Sequence, residues 1–316
     1  MKRVLLHRVT DLVVVLFGIS AIVFLMIRLI PGDAVAIMLG ANTEVTPERV
    51  AVLRARIGLD RPLVEQYLHW AGAALRGDLG TSLWTGRPVA GEILAHLGPT
   101  LELTLLSLVL GAGLAVPVGC LMAQTRGRGA DVLMRVGAIA GLTIPSFWLG
   151  IVLILLLSQW APGFASLGYV PFGEDPVGNL ERMVLPATAL GLPILANLSR
   201  LVRSAMLDAL GQDYIRTARA KGASVGLVVY KHALRNALIP LITYWGVSIA
   251  ALITGSVLIE VVFALNGMGR LTVDAINQRD WPIVQTVVLF FVLITLTINL
   301  VVDLLYGALD PRIKLS

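Results

Sequence analysis

Residues able to do chemistry are sparse in this sequence and spaced against the obvious reactions. His7, His69, His96 and His232 never fall at HExxH spacing, and Cys120 is the single cysteine, so neither a zinc ligand set nor a disulfide is at hand. No GxSxG elbow presents a serine nucleophile. None of the four lysines follows a glycine, which excludes a GxxxxGK(S/T) phosphate loop and with it a Walker-type ATPase in this chain. What remains are polar and ionisable groups inside apolar runs, where charge is costly and marks a cavity or a partner. Asn299 and Asp303 lie one helical turn apart and share a face, while Glu260 ends another apolar run. Each carries two readings: Glu260 lines the outer mouth of a pathway or is hydrated at the surface, and Asp303 lines the same pathway or sits at the cytoplasmic interface. No catalytic, cofactor or metal site is expected.

The elements that would position these groups follow from composition. The 316 residues are 57% hydrophobic and 14% charged, with a mean hydropathy of +0.83, against about 25% charged residues in soluble domains. That excludes disorder and a soluble fold. A bilayer core needs roughly 20 apolar helical residues, and six segments have them: Val9 to Ile30, Thr100 to Ala123, Val136 to Ser158, Met183 to Arg203, Leu238 to Phe263 and Ile283 to Leu305. An all-α polytopic membrane protein is the expected fold class. The fourth span is the weakest, being interrupted by Pro186, Pro193, Asn197 and Arg200. Pro145 and Pro193 each remove a backbone donor and can bend their helices. The first segment exceeds the roughly 7 to 15 apolar residues of a signal peptide, so it reads as a retained span, with Arg28 snorkelling from its outer end.

Basic residues set the orientation. Lys2, Arg3 and Arg8 precede span one; Arg126, Arg128 and Arg135 follow span two; Arg200, Arg203, Arg216, Arg219, Lys221, Lys231 and Arg235 follow span four; Arg312 and Lys314 end the chain. These segments alternate, so they share the cytoplasmic side with both termini. The net charge of +5 is therefore a topology signal. No nucleic-acid partner is expected, since aromatic residues do not interleave with the basic ones as base stacking needs.

One cytoplasmic segment is too structured for a linker. In LVRSAMLDALGQDYIRTARAKGASVGLVVYKHALRNALIP, Leu207, Leu210, Tyr214 and Ala218 recur at helical spacing, and Gly222 after a basic turn is a helix stop. A second short helix fits Leu227 to Ala237. Such a pair either docks on a partner or lies flat on an anionic membrane surface; composition leaves both open.

The run DYIRTARAKG followed by HALRNALIPL resembles the EAA loop of bacterial ATP-binding cassette importer permeases, in the peptide and nickel branch. The likeness extends over nearly the whole chain. GLDRPLVEQYLHWAGAALRGDLGTSL, LTIPSFWLG, LPATALGLP, GSVLIEVVFALNGMGRL and LLYGALDPRIK, in that order, look like that branch, most closely its first permease subunit. Arg216, Thr217 and Ala218 stand where the general pattern has Glu, Ala and Ala, and Pro240 lies further from Gly222 than usual, so no role resting on that glutamate is carried over.

The resemblance implies a type I importer permease fold: a non-catalytic inner-membrane subunit that moves peptides or a related small solute. It implies four kinds of partner: a second homologous permease, two ATPase subunits that hold ATP and magnesium, an external substrate-binding protein, and membrane lipid. Tyr214, Ala218 and Gly222 would contact the ATPase, with Arg216 and Arg219 pairing acidic residues of its rim or remaining solvated. The expected organisation is residues 1–30 as amino end and first span, 31–99 as an external cap, 100–308 as the core with its coupling loop at 201–237, and 309–316 as a cytoplasmic tail. Thr46, Pro47 and Glu48 begin a capped helix in the cap. The cap and the loop from Phe263 to Trp281 would receive the binding protein. The competing function is an ion-coupled secondary transporter, which needs an intramembrane charge cluster or internal repeats.

Overall fold

A computed structural model describes residues 2–29, 60–224, 226–234 and 239–309. The expected helix beginning at Thr46 and residues 310–316 of the tail expected at 309–316 lie outside the described residues. The described elements are helical: α1 (Lys2–Leu29), α2 (Leu63–Leu75), α3 (Val89–Gln124), α4 (Gly129–Thr143), α5 (Ser146–Leu157), α6 (Pro176–Leu210), α7 (Asp213–Ala220), a π-helical turn (Leu227–Ala233), α8 (Ile239–Val262), α9 (Met268–Asn277) and α10 (Trp281–Leu309). Three stretches are long and apolar enough to cross a membrane, Val89–Gln124, Pro176–Leu210 and Trp281–Val302, and a fourth results if α4 and α5 together make one broken span. Shorter apolar stretches occupy Thr10–Met26 and Ser248–Val262. The chain is thus an all-α polytopic membrane protein.

Two expectations about the spans need correction. The segment from Val136 to Ser158 is not one helix, because α4 and α5 meet at a bend of 106°. Pro145 disfavours helical backbone at the preceding residue, and Ile144 is extended, with φ −76° and ψ 122°. The fourth span is not interrupted, for α6 runs 35 residues through Pro186 and Pro193. Proline inside a membrane helix is tolerated where neighbouring helices and hydroxyls re-satisfy the freed carbonyls. α6 starts cleanly, with Pro176 in its first turn and the Asp175 side chain accepting from the Gly178 N–H at 3.0 Å.

By its internal contacts the chain divides into two compact units, one drawn from Met1–Leu97, Leu271–Thr297 and Leu315–Ser316, the other from Gly98–Arg270 and Ile298–Lys314. In the first, α1 rests on α2 through Phe17, Phe24, Tyr67 and Trp70, with ring centroids 5.3 to 6.0 Å apart. Arg28, expected to snorkel from the end of its span, has partners on both helices of this pair. Its Nε donates to Gln66 Oε1 at 2.9 Å and its guanidinium covers the Phe24 ring at 3.4 Å, which gives the charge a partner without leaving the helix pair. Asp280, wholly buried, receives the Ser82 hydroxyl and the Leu83 N–H.

In the second unit, α3 and α6 approach to backbone contact. Ser107, Gly111, Ala115 and Gly119 recur every fourth residue along α3 and all are buried. A Cβ on Gly111 would stand 2.6 Å from the Gly191 carbonyl oxygen, and one on Gly119 would stand 2.6 Å from that of Ser199. Small residues at this spacing let membrane helices pack by dispersion where no hydrophobic drive exists between them. The connection after α5 is tied down too. Tyr169 donates to Glu102 Oε2 at 2.7 Å, and burial together with that carboxylate pushes the phenol up to about 12. Gly111→Ala and Gly119→Ala should each cost about 1 to 3 kcal/mol through overpacking. Gly113→Ala, whose added Cβ meets nothing within 4 Å, should not. Thermal unfolding of the purified detergent-solubilised variants separates them, and equal melting temperatures would contradict the close-contact reading.

Candidate functional site: a short helix seated on the spans

The feature most developed beyond the long helices is α7. Helix α6 ends at Leu210, and extended backbone at Gln212, φ −76° and ψ 153°, starts a new helix. Leu207 and Leu210 therefore belong to α6, not to one stripe with Tyr214 and Ala218. The break resets the helical phase, and the residue α7 buries is Ile215, fully covered, whereas Tyr214 is 40% exposed. Sequence reasoning missed Ile215 because it read one continuous helix through Gly211.

Ile215 sits in a core cluster with Ala112 and Cys120 of α3 and with Leu198, Val202 and Met206 of α6. Val228, Val229 and Ala233 of the π-helical turn enter the same cluster, so the short helix expected at Leu227 to Ala237 is present over Leu227–Ala233 and is π-helical. Residues 235–237 of that expected helix lie outside the described residues. Burying an isoleucine side chain contributes roughly 1.5 to 3 kcal/mol, enough to hold an eight-residue helix that would not persist alone.

The end of α7 is equally well defined. Gly222 takes φ +81°, its N–H donates to the Arg219 carbonyl at 3.0 Å, and the Ala223 N–H donates to Ala218 at 3.1 Å. That pair of bonds is the Schellman stop, and the left-handed backbone at its centre favours glycine. Asp213 in the first turn and Arg219 in the last both oppose the helix dipole. Arg216 and Arg219 are exposed and Ala218 is half-buried. Arg216 lies 3.7 Å from Asp213, a solvated pair of little energetic weight. The five residues expected at a docking surface thus divide into an outer set, Tyr214, Arg216 and Arg219, a half-covered Ala218, and the turn-forming Gly222.

The other three expected residues are not gathered with these. Asn299 is exposed on α10, the helix that also carries Asp303. Glu260 is not hydrated at a surface. It is wholly buried at the end of α8 and its carboxylate accepts from four donors: Thr100 Oγ1 at 2.7 Å, Ser256 Oγ at 3.0 Å, the Gly269 N–H at 2.8 Å and the Arg270 N–H at 3.1 Å. The Met268 N–H donates in turn to Thr100 Oγ1 at 2.8 Å. Glu260 and Thr100 thereby satisfy the orphan donors that open α9. Gly269 has to be small here, since a Cβ would stand 2.6 Å from Val257 Cα.

Fold and site describe a polytopic all-α membrane protein with a short helix locked against its long ones. Residues 115–315 match the family described as binding-protein-dependent transport system inner membrane component, and residues 1–104 match the corresponding N-terminal family. The chain belongs to this family and is a permease subunit, not an enzyme. It is similar to the dipeptide transport system permease protein DppB of Escherichia coli (strain K12), 38% identical over 337 residues with 99% of each chain covered. Similarity to the glutathione transport system permease protein GsiC of Escherichia coli O6:H1 is 39% over 315 residues, again with 99% of each chain covered. Among solved structures, one titled "Crystal structure of an amino acid ABC transporter with histidines" aligns with a TM-score of 0.52 at 15% identity, over 70% of this chain and 95% of that one; this is a likeness of fold.

Replacing Glu260 tests its structural role. Glu260→Ala removes the shared acceptor of two N–H groups and the Thr100 hydroxyl, while Ser256 can still donate to the Ile253 carbonyl, and should destabilise the protein by about 3 kcal/mol, read as a lowered melting temperature in detergent. Unchanged stability would show that water or another group satisfies those donors.

Proposed function

We propose that this permease forms half of the translocation pathway of an ATP-driven importer for di- or oligopeptides or a related small solute. A second homologous permease supplies the other half, and two separate ATPase subunits carry ATP and magnesium. An external binding protein delivers the solute to the cap and to the loop from Phe263 to Trp281. The relatives named for dipeptide and glutathione transport, similar from end to end, support the solute class. Six spans with both termini cytoplasmic accommodate the basic segments. On this reading α1, at 28 residues, and α8, at 24, supply the spans beyond the four candidates, being about 42 and 36 Å long at 1.5 Å per residue.

The observation that carries the mechanism is the seating of Ile215. A helix that transmits motion needs one face locked to the moving body and another free for the motor. In α7, Ile215 joins the core of α3 and α6, while Tyr214, Arg216 and Arg219 face outward. Closure of the ATPases around ATP then displaces α7, and α6 moves with it. Arg216 and Arg219 pair with acids on the ATPase rim, Tyr214 anchors the contact, and Gly222 fixes the exit of the chain. Asn299 and Asp303 lie along the pathway on α10. Glu260 acts at a distance from the solute, by holding α9 in place.

The test is functional. Expressed with its transport system, the permease should co-purify with two ATPase subunits and require ATP for uptake into proteoliposomes. Ile215→Ala, at a local cost of about 2 to 5 kcal/mol, and Gly222→Pro should leave ATP hydrolysis running while uptake falls at least about tenfold. Uptake by the permease alone under an ion gradient would reverse the assignment in favour of a secondary transporter.

A further inference from the structure

Away from α7, a cavity of about 530 Å³ opens between α4 and α6, lined by Arg135, Ile139, Asn197, Arg200, Leu201, Arg203 and Ser204. Its polar wall is set by helical spacing, since Asn197, Arg200, Leu201 and Ser204 share one face of α6 and Arg135 and Ile139 share one face of α4. The volume falls in the range of small-ligand sites.

The charge in this cavity is out of balance. Asp131, buried beside it, is fully engaged by one arginine: Arg203 Nε and Nη2 each donate to a carboxylate oxygen at 2.9 Å, and the Gly127 N–H adds a third bond at 3.2 Å. Arg135 reaches the same carboxylate only at 3.5 Å, too long for a good hydrogen bond. Arg200 has no ion pair or hydrogen bond among the described residues. Three guanidinium groups against one carboxylate leave two positive charges and most of the donors of Arg135 and Arg200 uncommitted, beside the Asn197 amide and the Ser204 hydroxyl. Guanidinium forks of this kind match a phosphate.

The surroundings indicate where the phosphate comes from. Val132, Leu133, Val136 and Ile139 of α4 are all exposed, from 47 to 73%, so the outer surface of the helix bearing Arg135 is apolar and suits acyl chains. Basic pockets between membrane helices, next to such surfaces, receive anionic lipid head groups. We infer that the Arg135, Arg200 and Ser204 cavity binds the phosphate of one anionic phospholipid, with Arg203 held in place by Asp131 as part of its wall. This site is independent of the transported solute and of α7.

The test uses the assembled transporter, extracted in mild detergent from membranes containing phosphatidylethanolamine, phosphatidylglycerol and cardiolipin, with retained lipid counted by native mass spectrometry. The wild type should keep phosphatidylglycerol or cardiolipin in preference to phosphatidylethanolamine. R135Q/R200Q should weaken that retention about thirtyfold, from the loss of two head-group contacts. R135K/R200K should keep most of it, and R126Q/R128Q, which removes the same charge from the neighbouring loop, should change nothing. Equal anionic-lipid retention by wild type and R135Q/R200Q overturns the proposal, as does equal loss in the loop control. In a parallel arm, inorganic phosphate is titrated onto delipidated protein. Binding of phosphate that depends on Arg135 and Arg200, with no anionic lipid retained by the wild type, assigns the site to a soluble anion and overturns the lipid.

Discussion

The seat of Ile215 is the interaction on which the working parts of this permease depend. Its side chain, buried in the cluster that holds Val202 and Met206 of α6 and Cys120 of α3, ties eight residues of polar helix to the long helices. Without it α7 would be a short peptide on a flexible loop, and short helices do not persist in water. On the proposed coupling role, force applied to the outer face of α7 would pass through close-packed side chains, which transmit displacement because protein interiors have little slack. The Schellman stop at Gly222 and the π-helical turn behind it close the same cluster from the other side.

That seat in turn relies on how closely α3 and α6 approach. The Ser107, Gly111, Ala115 and Gly119 ridge brings the backbones together, and Ile215 is buried in the cluster that residues of both helices share. Buried carboxylates are treated alike in both units. Glu260 takes four donors, Asp131 takes the Arg203 fork, and Asp280 takes the Ser82 and Leu83 donors. In each case a buried carboxylate ends its search for partners within the chain, as a weakly hydrated environment requires. The Arg135 and Arg200 cavity is the exception among these clusters, and its surplus charge is why it reads as a site instead of a strut.

The sequence made the gross architecture legible because long apolar runs have few alternatives, as at Val89–Gln124 and Trp281–Val302. Gly222 was legible for a local reason: a basic turn followed by glycine specifies its own ending. Other features depend on partners far along the chain. Pro145 breaks its helix while Pro186 and Pro193 do not, and nothing within a few residues of each distinguishes them. The face of α7 was misjudged because extended backbone at Gln212 shifts the phase, and at about 100° per residue a single break moves the buried position from Tyr214 to Ile215. Glu260 could not be placed from sequence, since its partners Thr100 and Gly269 are brought together only by the fold. Instead of meeting water, its carboxylate holds the first N–H groups of α9.

The most direct measurement is site-specific photo-crosslinking in the assembled transporter, with a photoreactive phenylalanine analogue at position 214 and, as the control, at position 160, which the proposed topology makes external and where the tryptophan is 86% exposed. A rigid docking helix predicts a crosslink from position 214 to an ATPase subunit, both without nucleotide and with ATP bound, and none from position 160. Crosslinks from position 214 to lipid alone, with the ATPases present and active, would contradict the account and make α7 a membrane-surface helix.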